Sequence, residues 1–358
     1  MDRRVLAIAL LGLAAREALA DVSFTGLGFF PGANSTIVYA ISADGSTVIG
    51  QSGSGSNQVP FYWTRGAGLT PFPSGFGAAA LNADGAVFAG ALANQHAGLW
   101  SVADGIQDLG IPFGQYQAGA FGISGDGTVV VGQTYSAVGS GPAFRWTSAT
   151  GMTLLQSLPG DTSAFVSAVS ESGLEIVGQS GRSQPYHTLA VRWASNGNVE
   201  PITADMIQAT AVNADGSAIV GRAVFGTVTA AAIWTSRGGL QQLGSLDGGT
   251  GATAYAISGD GSVVVGDGTL VSGGRAFLWT QDTGMVDLNA YLASAGLDVS
   301  GWTLQDARGV SHDGRTIAGF GLHNGLQQGW VAVVPSPAAW PVALLAFMLR
   351  RTPRPKST

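Results

Sequence analysis

The chain repeats itself seven times, and this repetition restricts its fold more than any other feature. The units open on Tyr39-Ala-Ile-Ser-Ala-Asp-Gly, Ala80-Leu-Asn-Ala-Asp-Gly, Phe121-Gly-Ile-Ser-Gly-Asp-Gly, Ala168-Val-Ser-Glu-Ser-Gly, Ala211-Val-Asn-Ala-Asp-Gly, Tyr255-Ala-Ile-Ser-Gly-Asp-Gly and Gly309-Val-Ser-His-Asp-Gly. Their turn positions, Asp44, Asp84, Asp126, Ser172, Asp215, Asp260 and Asp313, are spaced by 40, 42, 46, 43, 45 and 53 residues. Six residues after each comes a glycine that closes an apolar run: Gly50, Gly90, Gly132, Gly178, Gly221, Gly266 and Gly319. A tryptophan follows 16 to 21 residues from the turn, at Trp63, Trp100, Trp146, Trp193, Trp234, Trp279 and Trp330.

Asp-Gly between two apolar runs marks a tight hairpin, because glycine takes the positive φ such a turn requires. Beyond the tryptophan most units turn again into Gly-Leu or Gly-Met and a short apolar stretch, as in Gly105-Ile-Gln-Asp-Leu-Gly and Gly284-Met-Val-Asp-Leu. Each unit therefore reads as four short strands, and this period belongs to propeller blades rather than helical solenoids. The expected fold is all-β, a seven-bladed β-propeller of four-stranded blades over residues 21–333. The last unit lacks a fourth strand after Trp330-Val-Ala-Val-Val, whereas Val22-Ser-Phe-Thr-Gly-Leu-Gly looks like an orphan copy of one. Pairing the orphan into the last blade would close the ring and remove an open sheet edge.

Composition agrees with many short strands. Glycine supplies 55 of 358 residues, about twice ordinary usage, and is read as counting turns. There is no cysteine, which excludes a disulfide frame, a thiolate metal site and a thiol nucleophile. The turn aspartates Asp44, Asp84, Asp126, Asp215, Asp260 and Asp313 are read as caps of their own backbone. A calcium loop needs several converging oxygens and one carboxylate per turn falls short, so no metal is assigned. Burying a tryptophan removes ~150 to 250 Å² from water, an upper bound on the order of 4 to 6 kcal/mol. Seven at one register form a core layer, and a row for stacking carbohydrate is the alternative.

The two ends differ from the body. Arg3 and Arg4, an apolar run from Val5 to Ala15, and Ala18-Leu19-Ala20 follow the three-part layout of a secretory signal over residues 1–20, with signal peptidase cutting after Ala20. The run is short of the ~20 residues a spanning helix needs. Of 16 basic residues, three lie in that leader and four in the tail, and two of the 22 acidic residues lie in the leader. The body keeps nine arginines against 20 acidic side chains, a charge near −11 that repels phosphate backbones and argues against a nucleic-acid partner.

The Ala-Ile-Ser, turn, Val-Val-Gly, Ala-Phe-x-Trp, Gly-Met-x-Asp-Leu series of Ala254 through Gly266, Arg275-Ala-Phe-Leu-Trp and Gly284-Met-Val-Asp-Leu resembles the extracellular HAF-repeat family. The resemblance covers about residues 22–333 and implies a secreted, propeller-like protein without established chemistry. It departs at the His-Ala-Phe tripeptide, where this chain has Pro142-Ala-Phe, Arg275-Ala-Phe and His96-Ala-Gly. Residues 334–358, with Val334-Pro-Ser-Pro, apolar Ala338 to Leu349 and then Arg350-Arg351, resemble a PEP-CTERM sorting signal. That resemblance implies an exosortase-type sorting protease as a partner, cutting between Pro335 and Pro337. Ser336 stands where the family has glutamate. The segment is too short to span comfortably and reads as an address, touching the membrane only transiently.

Chemistry on such a scaffold should appear as polar residues that break the repeat. The histidines stand at 96, 187, 312 and 323, spread over three units, and no nucleophile elbow, metalloprotease helix or phosphate loop is present. No catalytic residue and no cofactor are assigned. Glu171 and Glu175 depart from their equivalents and could serve as an acid/base pair, but are read as solvated strand positions. The one long insertion, residues 289–302, is the candidate binding element, with Asn289, Tyr291, Asp298 and Trp302, or else a cover for the closure seam. The expected function is that of a secreted or cell-surface, non-catalytic binding or structural propeller, associated with a glycan, a surface protein or the extracellular matrix. The rival is a polysaccharide-acting enzyme, which needs non-repeat carboxylates clustered around one channel mouth.

Overall fold

The computed structural model describes residues 22–136 and 139–335. Ala18 and Ala20 of the expected leader, and Pro337, Arg350 and Arg351 of the tail, lie outside the described residues. Seven four-stranded antiparallel sheets form a ring, one for each repeat, so the protein is a seven-bladed β-propeller with a single helix among the described residues. The first blade runs outward through Ser35–Ile41, Thr47–Ser54, Asn57–Thr64 and Gly68–Pro71. The orphan strand Ser23–Gly26 pairs antiparallel with the last strand, Leu326–Val333, in the register Ser23 to Val333 and Gly26 to Trp330. Ring closure by the N-terminal strand is therefore a property of the fold.

The core is divided among the seams between blades rather than gathered in one place. Each of the seven seams holds its own buried cluster, and each cluster takes in one repeat tryptophan. Trp63, Trp100, Trp193, Trp279 and Trp330 are buried, whereas Trp146 and Trp234 are half-buried, the latter beneath the Arg192 guanidinium at 5.5 Å. A side chain of this size in every seam ties each blade to the next, because apolar area leaves water only when blades dock.

The reading of glycine as a counter of turns holds for those with positive φ, such as Gly45, Gly85 and Gly127, but not for the repeat glycines at 50, 90, 132, 178, 221, 266 and 319. None has a positive φ, and all lie in second strands. A Cβ there would sit 1.9 to 2.1 Å from a carbonyl oxygen of the inner strand: Ile37, Gly77, Gly119, Phe165, Gln208, Thr253 or Asp306. The cause is a β-bulge in every inner strand, where pairing skips Tyr39, Ala79, Phe121, Ser167, Thr210, Tyr255 and Arg308. The bulge presses the inner backbone onto its neighbour, and only glycine accommodates that approach.

The seam between the sixth and seventh blades is the largest. Helix α1 (Leu288–Ser294), capped by the Asp287 carboxylate on the Ala290 N–H, buries Leu288 and Leu292 there against Leu304 and Trp330.

Candidate functional site

The inner strands surround an axial channel, and the Asp-Gly turns form one of its mouths. The six aspartate turns are built alike. The aspartate Oδ1 accepts the N–H two residues on, as in Ser46 to Asp44 at 2.9 Å and Arg315 to Asp313 at 3.0 Å. A serine or asparagine two residues earlier accepts the N–H that opens the second strand, as in Thr47 to Ser42 at 3.0 Å and Ala218 to Asn213 at 2.9 Å. The Ser124 hydroxyl and the Thr128 N–H hold the Asp126 carboxyl below its ordinary range. These aspartates cap turns, and among the described residues no group of three or more His, Asp or Glu is placed to hold a metal.

Backbone hydrogen bonds join neighbouring turns into a closed girdle. Asp44 N–H donates to Ala83 O (3.0 Å), Ala83 to Gly125 (3.1 Å), Gly125 to Glu171 (2.9 Å), Ser172 to Ala214 (3.3 Å), Ala214 to Gly259 (3.3 Å), Gly259 to His312 (3.0 Å) and His312 to Ala43 (2.7 Å). The residue before the turn position is small in five blades, at Ala43, Ala83, Gly125, Ala214 and Gly259. The other two are Glu171 and His312, in the fourth and seventh blades, and they meet across the mouth. His312 Nδ1 lies 3.0 and 3.1 Å from the two Glu171 carboxylate oxygens. The expectation that Glu171 is a solvated strand position is thus corrected: it stands at a turn and bars the channel. Glycine makes this possible, because a Cβ on Gly259 would fall 2.2 to 2.4 Å from the His312 ring. Behind the bar is a cavity of about 150 Å³, walled by Ile41, Leu81, Ile123, Val169, Ile257 and Val310.

One layer deeper stand the bulge residues. Tyr39 and Phe121, in the middle of the inner strands that surround the channel, are each 39% exposed. A bulge re-aims its side chain. Tyr255 occupies the same position in the sixth blade, and Arg308 of the seventh lies over its ring at 4.1 Å. Behind Arg308, Asp306 Oδ2 accepts from its guanidinium at 2.8 Å, while Asp306 Oδ1 and Asp267 Oδ1 are buried without hydrogen-bond partners among the described residues. Burial outweighs the Arg308 charge and pushes the Asp306 carboxyl up to about 6. Burial, then the neighbouring Asp267 carboxylate, raises the Tyr255 phenol. Glu175, also singled out by its departure from the repeat, is half-buried and raised by that burial.

The residues of the 289–302 insertion are engaged by the closure seam. Asn289 donates to Trp302 O at 3.1 Å and accepts the Leu304 N–H at 2.6 Å. Tyr291 packs against the core of the seam, and that burial raises its phenol far above the ordinary value. Asp298 accepts the Ser300 N–H at 3.0 Å and caps a local turn. Trp302 stacks on His323 at 4.4 Å and meets Phe24 of the orphan strand edge-on at 5.1 Å. Pro335 follows the last strand and its neighbour Val334 is fully buried. The four histidines are spread over three units of the sequence, yet three of them sit on carboxylates: His96 on Asp108 at 2.8 Å, His187 on Asp161 at 3.0 Å, and His312 on Glu171.

No family model matches the chain, and no curated protein matches it. Solved structures do resemble it. One is an oligogalacturonate lyase from Vibrio parahaemolyticus, with 11% identity over 87% of this chain and 93% of that one and a TM-score of 0.59. Another is the β-propeller domain of Swd1 from Myceliophteria thermophila, with 12% identity over 86% of this chain and 99% of that one and a TM-score of 0.52. At these identities the likeness is one of fold.

Proposed function

We propose that the protein is a secreted or cell-surface, non-catalytic binding propeller that takes a saccharide in its axial channel. The observation that carries this is the set of bulge positions on the inner strands, where Tyr39 and Phe121 remain 39% exposed and Arg308 covers the ring of Tyr255. Aromatic faces with a few polar groups at a concave site are the chemistry that holds a sugar ring. The secretory-signal layout of residues 1–20 and the sorting-tail resemblance of residues 334–358 support the secreted part of this reading, in which signal peptidase and an exosortase-type sorting protease process the chain. The test is a glycan array followed by calorimetry on residues 21–334. Tyr39→Ala with Phe121→Ala should weaken the best array hit at least about tenfold, the scale of one or two lost stacking contacts. No array binding together with turnover in a hydrolase and lyase screen would refute the proposal.

A second reading, a polysaccharide-acting enzyme, is favoured by one observation: Asp306 holds its proton to about 6 beside a second buried carboxylate, Asp267. The oligogalacturonate lyase shares the fold with this chain and supplies no residue correspondence. On this reading Asp306→Asn abolishes turnover in the same screen; turnover that survives the substitution ends it.

A further inference from the structure

The loop that enters the fourth blade carries Asp161, whose side chain is 1% exposed yet charged chemistry surrounds it. Three donors converge on that carboxylate: Ser180 Oγ at 2.8 Å, His187 Nδ1 at 3.0 Å and Arg182 Nη1 at 3.2 Å. A buried carboxylate with such partners is a fixed post, and it orients the two longer groups it holds. Both remain about one-third exposed. Among the described residues Arg182 spends only Nη1, on Asp161 and the Gly160 carbonyl, so Nε and Nη2 keep donors to spare. His187 is held through Nδ1, which leaves Nε2 for another partner.

Arg182 and His187 form one wall of a cavity of about 260 Å³, whose other walls include Phe165, Gln179, Tyr186 and Thr188. Tyr186 is 81% exposed at its rim. Against one buried carboxylate stand a guanidinium and an imidazole, in a body where 20 acidic residues face nine arginines. A pre-oriented guanidinium fork in an acidic protein selects an anion through the shape of its pocket rather than through the general field.

We infer that this pocket is a second binding site, which takes the carboxylate of an acidic sugar. The carboxylate accepts from the free Arg182 N–H groups and from His187 Nε2, while the pyranose ring lies against Tyr186 or Phe165 and its hydroxyls meet Gln179 and Thr188. An arginine fork matches the two oxygens of a carboxylate, and a partly exposed aromatic matches a sugar face. The inference rests on the saccharide reading for its ligand class, and it adds a site on the fourth blade, apart from the channel.

The experiment uses residues 21–334 and two probes, a uronic-acid oligosaccharide and the same oligosaccharide with its carboxyls reduced to alcohols. The unaltered protein should prefer the uronate by at least about tenfold, the scale of a charge-assisted hydrogen bond, and the preference should shrink as salt is added. Arg182→Gln should bring the two affinities within about twofold of each other, and Arg182→Lys, which keeps the charge and loses the fork, should fall between. Tyr39→Ala with Phe121→Ala should leave the preference intact. Equal affinity for the two probes, or a preference that survives Arg182→Gln, overturns the pocket while the channel reading stands. Failure of both probes to bind overturns the pocket, and the channel reading is then decided by the glycan array alone. Thermal melts of the Arg182 variants that match the parent exclude unfolding as the cause of a loss.

Discussion

His312 reaches over the channel axis from the seventh blade and sets its Nδ1 3.0 Å from the carboxylate of Glu171 in the fourth. The two side chains are 52% and 35% exposed, so water and salt screen the pair. A double-mutant cycle over His312→Ala and Glu171→Ala is expected to give a coupling of about 0.2 to 1 kcal/mol that fades as salt is raised. Urea unfolding at low and high ionic strength reads it. A coupling of several kcal/mol, insensitive to salt, would mean that the pair carries the fold. Gly259→Ala, which pushes a Cβ into the imidazole, should remove the same coupling with both partners still present.

The glycines of the second strands should be the least replaceable residues of the repeat. At Gly178 a methyl group would meet the Phe165 carbonyl oxygen at 1.9 Å, and the obstacle is backbone, which has little freedom to yield. Gly178→Ala is expected to cost about 1 to 3 kcal/mol or more. Gly105→Ala, in a turn with φ of 73° and open space around it, is expected to cost only the left-handed penalty, about 1 to 2 kcal/mol. Reversal of that order in denaturant melts would remove the bulge explanation.

Asp306 predisposes the protein to a pH dependence of unusual sign for a carboxyl. Its folded value of about 6 lies above the unfolded value, so between about pH 4 and pH 6 the native state binds the extra proton. Stability from this group is present below that window and lost as pH rises through it, by up to about 3 kcal/mol. Asp306→Asn cannot ionise and is expected to gain on the parent from about pH 4 to pH 6 and to level off towards pH 7. Thermal melts of both proteins across that range read the difference; a constant offset would count against it. Asp126 and Asp215, whose values are lowered, act in the opposite sense, and their contribution is lost only as pH falls further.

Removing residues 22–30 takes away the outer strand of the seventh blade, the Phe24 contacts with Trp302 and Trp330, and buried Leu27. It also bares the edge of Leu326–Val333. The truncated protein is expected to melt far below the parent and to self-associate, whereas trimming nine residues from the C-terminus should change neither property. Light scattering and a melt distinguish the outcomes.

The architecture was legible because its determinants recur. The Asp-Gly turns, the tryptophan of each seam and the orphan strand each appear as a period or as the gap in one. The second-strand glycines were equally visible, but the carbonyl that requires them belongs to a bulge in the neighbouring strand, and strand pairing is not written in a one-dimensional period. The channel bar was hidden for a related reason. Glu171 and His312 are 141 residues apart, and their shared signal is that each stands where the other five blades have alanine or glycine. Aligning the units by column, rather than scanning for histidine motifs, picks out both. His187 and Asp161 belong to one unit, yet they meet only because the hairpin after Ser183 folds back over the loop that precedes the blade.

The pairing of Ser23 with Val333 means that the chain enters and leaves the ring at one point on its rim. Force applied through both ends would act like opening a zipper, breaking the Ser23–Gly26 ladder one residue pair at a time, the geometry in which hydrogen bonds resist least. Force applied through one end alone would be shared across the sheet and its seam. A propeller of this construction is mechanically strong on a single tether and fragile on two, and whichever end remains attached sets the load at which the ring opens.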